Sequence, residues 1–137
     1  MNKSVCIIIT SEFGEKDFAA LKKSEFKVFF FPMIKTISEH YVLNDDNYEF
    51  LVFTSKNGIR YFFDSNKKID QFKSKKIICL GSKTEEFLNQ YKLKSFFTSP
   101  KSYSKIMLNH IIERGFINGK KTLLVQGNLA SDELLDG

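Results

Sequence analysis

The residues best suited to chemistry gather in three short polar stretches, each following an apolar run. FTSKNG occupies 53–58, LGSKT 80–84 and VQGNLAS 125–131. Each holds a small or Gly residue that lets a ligand approach the backbone. Each supplies hydroxyl or amide side chains, and each precedes a segment with helical spacing. A helix start presents amide hydrogens and the positive end of the macrodipole, and both attract anions. One such start contributes about 0.3–1 kcal/mol toward an exposed carboxylate. Several acting on one multiply charged ligand would be substantial. The candidate contacts are therefore Thr54, Ser55, Lys56 and Asn57, then Gly81, Ser82, Lys83 and Thr84, then Gln126, Gly127 and Asn128. A plainer role competes with binding. Ser55, Ser82 and Thr84 also suit ordinary helix N-caps, each stabilising its helix by about 1 kcal/mol.

Other chemistries find little footing. The GxxxxGK[ST] spacing of a P-loop is absent, LGSKT is not GxGxxG, and neither GxSxG nor HExxH occurs. Cys6 and Cys79 both fall in apolar, strand-like runs and read as reduced core thiols. His40 and His110 stand alone and no CxxC occurs, so a metal site is not expected. Glu85 and Glu86 read as solvated charges on an exposed helix face. Tyr41, Tyr48, Tyr61, Tyr91 and Tyr103 read as amphipathic residues at the core edge.

The elements that must position these turns follow from periodicity. Phe50–Phe53 is a continuous apolar run, and Ile59, Phe62 and Phe63 return at helical spacing. Strand, turn and helix in that order put the turn at the carboxyl end of a strand, where α/β proteins bind ligands. The design repeats. KIICL at 76–80 leads through its turn to a helix over Thr84–Tyr91 with Phe87, Leu88 and Tyr91 inward. A short strand at Ser95–Thr98 ends at Ser99-Pro100. Ser104–Arg114 forms a helix with Ile106, Met107, His110 and Ile111 on one stripe, capped by Ser102 or Ser104 and closed by Gly115. Lys121–Val125 is a further strand, and Ala130–Leu135 begins a helix. Earlier in the chain, Val5–Ile9 reads as a strand buried on both faces, Asp17–Lys23 as a short helix and Phe26–Phe31 as a second strand. Residues 32–47 read as a crossover to a second domain, with Asn44–Asn47 a turn cluster. This alternation predicts an α/β protein with parallel sheets flanked by helices.

Bulk properties agree. The 137 residues are 42% hydrophobic and carry a net charge of +5, with every basic residue Lys except Arg60 and Arg114. A basic surface favours an anionic partner. The lysines are scattered, and no named nucleic-acid motif or aromatic stacking pair is present, so nucleic acid is not the expected partner. The N-terminal apolar stretch is too short for a signal peptide or a membrane span. The expectation is a soluble, cytoplasmic protein.

Taken in order, FLVFTSKNGIRYFF, IICLGSKTEEFL, SYSKIMLNHI and GKKTLLVQGNLASDEL resemble the uroporphyrinogen-III synthase family. Its members carry a strand ending in Thr-Ser, a Val-Gly-x-x-Thr-Ala turn, a Ser-x-x-Leu helix and a strand ending in Arg-Gly. CIIITS resembles the family's opening strand. The resemblance implies two flavodoxin-like α/β domains joined by a two-stranded linker, the first domain discontinuous and the second inserted. Here that gives residues 1–34 for the start of domain 1 with the first linker strand, and 35–137 for domain 2. The implied activity is a lyase step of porphyrin and haem biosynthesis. Hydroxymethylbilane, a linear tetrapyrrole with eight carboxylates, is cyclised with inversion of its last ring and loss of water. No cofactor is implied, and the protein would be a monomer with no nucleic-acid or membrane partner. By motif, Thr54 and Ser55 match the Thr-Ser pair, Gly81 and Thr84 the Gly-x-x-Thr turn, and Ser104 the helix serine, with Thr84 the best catalytic candidate.

Thr10 and Ser11 close the opening strand, and Ser11 stands where the family usually has Arg. Gln126 and Gly127 fall where Arg-Gly is usual. Two cationic contacts are thereby altered, with Lys56 and Lys83 placed to compensate. The resemblance also implies that the first domain is incomplete at Gly137 and that this stretch alone is inactive. Two readings stand beside the enzyme: a non-catalytic anion-binding module that keeps the turns, and a flavodoxin-like regulatory domain. Thr10-Ser11-Glu12 offers one carboxylate where a receiver-type domain needs several.

Overall fold

A computed structural model describes residues 5–12, 26–43, 47–66, 69–130 and Leu134. The chain forms two compact units, Met1–His40 and Tyr41–Gly137. In the first, β1 (Cys6–Ile9) pairs in parallel with β2 (Lys27–Phe30), Cys6 opposite Lys27 and Ile9 opposite Phe30. The burial expected of the opening strand is corrected: Ile9 is 8% exposed but Ile8 is 62% exposed. A strand's two faces are buried only by elements packed above and below the sheet, and among the described residues this two-stranded sheet leaves Ile8 uncovered. Cys6 is exposed for the same reason, so only Cys79 of the two thiols is in a core. The helix expected at 17–23 lies outside the described residues. Past β2, residues 31–43 contain no strand, and the Thr36 amide and hydroxyl both donate to Glu12 Oε2, at 3.1 and 2.5 Å.

The second unit holds β3 (Phe50–Phe53), α1 (Lys56–Ser65), a 3-10 turn (Ile69–Phe72), β4 (Lys76–Cys79), α2 (Ser82–Asn89), β5 (Phe97–Thr98), α3 (Ser104–Glu113) and β6 (Thr122–Val125). The strands lie in the order β5-β4-β3-β6, every pairing parallel. In β3, Phe50 is opposite Lys76 on one side and Thr122 on the other. Alternation along the strands divides the core. Leu51, Phe53, Ile77 and Cys79 pack with Ile59, Phe62 and Phe63 of α1 and Leu88 of α2. Phe50, Val52, Ile78 and Leu80 pack with Met107 and Ile111 of α3. Helices thus cover both faces of a parallel sheet, as the alternating sequence predicts.

The first core holds an aromatic cluster. Phe53, Phe62, Phe63 and Phe72 form a cluster with centroid separations of 5.1–5.7 Å, extended by Tyr91 at 5.0 Å from Phe63. Tyr41 stacks on Phe62 and donates its hydroxyl hydrogen to the Phe62 carbonyl at 3.1 Å. Edge and tilted contacts of this kind add about 0.5–1.5 kcal/mol per pair beyond area burial.

Two outcomes test this packing. Phe53→Ala removes a ring that is 0% exposed at the centre of the cluster, and urea denaturation should show a loss of about 3–5 kcal/mol. The Cys79 thiol is pushed up to about 12, first by burial and then by the nearby Glu85 charge. At pH 8.5 a thiol reagent should therefore label Cys6 in the native protein and Cys79 only after denaturation, read by mass spectrometry.

Candidate functional site

Because all four strands of the second sheet run parallel, their following turns emerge at one edge. The turns after β3, β4 and β6 are the three stretches that stand out in the sequence. The fourth, Ser99-Pro100-Lys101-Ser102 after β5, belongs with them and reads from sequence only as a strand end.

The turns after β3 and β6 touch. Thr54 donates its amide hydrogen to the Val125 carbonyl at 3.4 Å, and its hydroxyl lies 3.5 Å from the same oxygen. A Cβ at Gly58 would sit 3.3 Å from Val125 O, so the missing side chain lets α1 start close against β6. Ser55 is the N-cap of α1, its Oγ accepting from the Gly58 amide at 3.0 Å. The capping role weighed for Ser55 is real. Asn57 and Gln126 each hold a buried side-chain oxygen without a hydrogen-bond partner, Oδ1 and Oε1 respectively. An unpaired buried acceptor carries a desolvation cost, and both belong to this pair of turns. Sequence names both residues as candidate contacts but does not show that these oxygens lack partners. Gly127 and Asn128 are exposed, and the Ala130 amide closes their turn on the Gly127 carbonyl at 3.0 Å. The helix expected from Ala130 lies largely outside the described residues.

The turns after β4 and β5 meet at Gly81. It caps α2 with φ 83 and ψ 160, a region reserved almost wholly for glycine. A Cβ there would overlap Ser102 Oγ. The helix therefore begins at Ser82 rather than Thr84. Neither Ser82 nor Thr84 is its N-cap, because Gly81 takes the non-helical position. Thr84 is 5% exposed and donates its hydroxyl hydrogen to the Leu80 carbonyl at 2.9 Å, tying the first helical turn back to the strand end. Ser82 and Lys83 are exposed on the first turn of α2. In α3 the N-cap is Tyr103, with no side-chain bond. Ser102 and Ser104 do not cap it: Ser102 packs on Gly81, and Ser104 is already the first helical residue. Ser99 is buried and donates to the Lys101 carbonyl at 2.7 Å. Thr10 and Ser11 are exposed at the end of β1, in the first unit.

The turns themselves carry only basic charge, with Glu85 in the first turn of α2 beside them. The turns at 54–58, 80–84, 99–104 and 126–130 contain Lys56, Lys83 and Lys101 and neither Asp nor Glu. Glu85, one step beyond, accepts a hydrogen bond from the Ser95 hydroxyl rather than standing fully solvated, whereas Glu86 is exposed as expected. First-turn amides of α1 and α2 add partial positive charge. The arrangement suits several anionic groups held at once. Among the described residues no cluster of His, Cys, Asp and Glu is placed to hold a metal ion, and no helix is long and apolar enough to cross a membrane.

Gly81 tests this geometry. Gly81→Ala should lower stability by at least about 2 kcal/mol through backbone strain and overlap. Adding Ser102→Gly relieves the overlap alone and should restore only part of it, both read by urea denaturation.

Comparison with known proteins brings the same family forward. No curated protein matches the chain significantly. A crystal structure of uroporphyrinogen III synthase from the extremely thermophilic bacterium Thermus thermophilus superposes with a TM-score of 0.54 at 15% identity, covering 97% of this chain and 56% of that one. The chain thus spans little more than half the length of that protein, and at this identity the likeness is one of fold. The family model described as uroporphyrinogen-III synthase HemD matches residues 16–137. Through that match over most of its length, the chain belongs to the uroporphyrinogen-III synthase family.

Proposed function

We propose that the carboxyl edge of β4-β3-β6 binds the carboxylates of a linear tetrapyrrole. In this reading the chain contributes to closing hydroxymethylbilane, with inversion of its last ring and loss of water, to uroporphyrinogen III. The observation that carries the reading is the grouping of turns with Lys56, Lys83 and Lys101 and without a carboxylate, in a chain of this family. Carboxylates would be received by first-turn amides and by Lys56 and Lys83. Catalysis would come from holding a reactive, flexible substrate in one conformation, since proximity and orientation alone lower a barrier substantially. Thr84 takes a positioning part here: its bond to Leu80 fixes the direction of the α2 amides. Ser104, the first residue of α3, would offer its hydroxyl at the same edge.

A second reading is favoured by one observation. Gln126, where the family usually has a cationic Arg, has a buried side-chain oxygen without a partner. An anion-binding module that retains the tetrapyrrole without turning it over fits that change.

Two measurements separate these. Supplied with hydroxymethylbilane, this stretch alone should retain tetrapyrrole binding and leave the spontaneous type I isomer; type III above the spontaneous background would favour the enzyme over the module and overturn the expected inactivity. A Lys56→Glu, Lys83→Glu double variant should weaken binding of the octacarboxylate at least tenfold at low salt, and less at high salt as the charges are screened. Unchanged affinity would contradict the assignment of this edge as the binding surface.

A further inference from the structure

The opposite edge of the same sheet, where the strands begin, carries a second arrangement. Glu49 precedes β3, Lys75 and Lys76 stand at the start of β4, and Lys120 and Lys121 precede β6. Two hollows adjoin here. One, of about 210 Å³, has Leu43, Leu51 and Phe72 among its walls. The other, of about 400 Å³, is lined by Lys75, Lys120, Lys121 and Glu49. Tyr48, Ser74 and Lys75 line both, so an apolar hollow and a cationic one lie side by side.

One carboxylate stands among the lysines. Glu49 is shared between Lys120 Nζ at 3.2 Å and Lys76 Nζ at 3.5 Å. The hydrogen bond from Lys120 holds the Glu49 carboxyl below its ordinary value. Lys121 Nζ lies 5.2 Å from the centre of the Tyr48 ring, a cation–π contact that orients it at the cationic hollow. With three lysines to one glutamate, the lining is net cationic. On the apolar side there is room for a ring: an apolar cavity of about 150 Å³ accepts benzene. Nothing in the tetrapyrrole reading uses these residues, which lie a strand's length away from the turns.

We infer that this edge binds a small organic anion with an apolar body. Its ring or short chain would rest against Leu43, Leu51 and Phe72, and its carboxylate or similar group would sit among Lys75, Lys120 and Lys121. Both parts are needed. Exposed lysines alone hold an anion weakly in salt, and the apolar hollow alone gives no reason for the charge beside it.

The test is a titration of the 137-residue chain with 2-naphthoate, followed by ¹H–¹⁵N spectra. The expected result is saturable shifts at Tyr48, Ser74, Lys75, Lys120 and Lys121. Lys75→Glu with Lys121→Glu should raise the dissociation constant at least tenfold while the circular dichroism spectrum is unchanged. Neutral 2-naphthamide and the ring-free acetate should each bind at least tenfold more weakly than 2-naphthoate. Equal binding of the amide would overturn the anionic part, and equal binding of acetate the apolar part. Shifts confined to 54–58, 80–84 and 126–128 would overturn the site. The amide and acetate comparisons use the unaltered chain, so the outcome does not depend on the variant folding.

Discussion

Strand β3 is covered on both faces and hydrogen-bonded along both edges, and the second unit is built outward from that constraint. A strand buried in this way must leave none of its backbone groups unpaired. It does so with β4 on one side and β6 on the other, both parallel to it. Its pairing continues past its end, where the Leu80 amide reaches the Phe53 carbonyl at 2.9 Å and Thr54 reaches Val125. Parallel neighbours require crossovers, and crossovers put helices on both faces. The same requirement sends every turn out at one end. The grouping of the candidate binding residues is therefore a consequence of how β3 is buried.

Electrostatics then distinguish the two ends of the sheet. At the carboxyl end, Lys56, Lys83 and Lys101 stand in turns without an acid, and helix dipoles point the same way. At the amino end the lysines are more numerous, but Glu49 binds two of them. A net charge of +5 is thus not one diffuse field. One end offers spaced cations and backbone amides to a large polyanion. The other offers a cationic hollow beside an apolar one, a shape for something smaller.

Much of this was legible in the sequence, for reasons that can be named. FLVF followed by TSKNG and a helical repeat has one good solution, and β3, α1 and the cap at Ser55 follow that reading. The family order of motifs was likewise readable, because it depends on residue types in sequence. What failed were inferences needing three dimensions. Val5–Ile9 has the composition of a strand buried on both faces, but composition does not show what packs above and below it. Ser102 looks like a cap until Gly81 is found against it. The bond from the Thr84 hydroxyl back to Leu80 was likewise not readable from residue types. Orphaned oxygens on Asn57 and Gln126, and the adjoining hollows at the far edge, are properties of pairs of segments, and periodicity does not report them.

The central claim is that the carboxyl edge of the second sheet is a polyanion site. The most direct measurement is a ¹H–¹⁵N titration of the chain with uroporphyrin I, a stable tetrapyrrole octacarboxylate. The account predicts the largest shifts at residues 55–58, 81–84 and 126–128, with affinity that falls as salt rises. Shifts centred on Tyr48, Lys75 and Lys121 instead, or an affinity indifferent to salt, would contradict it.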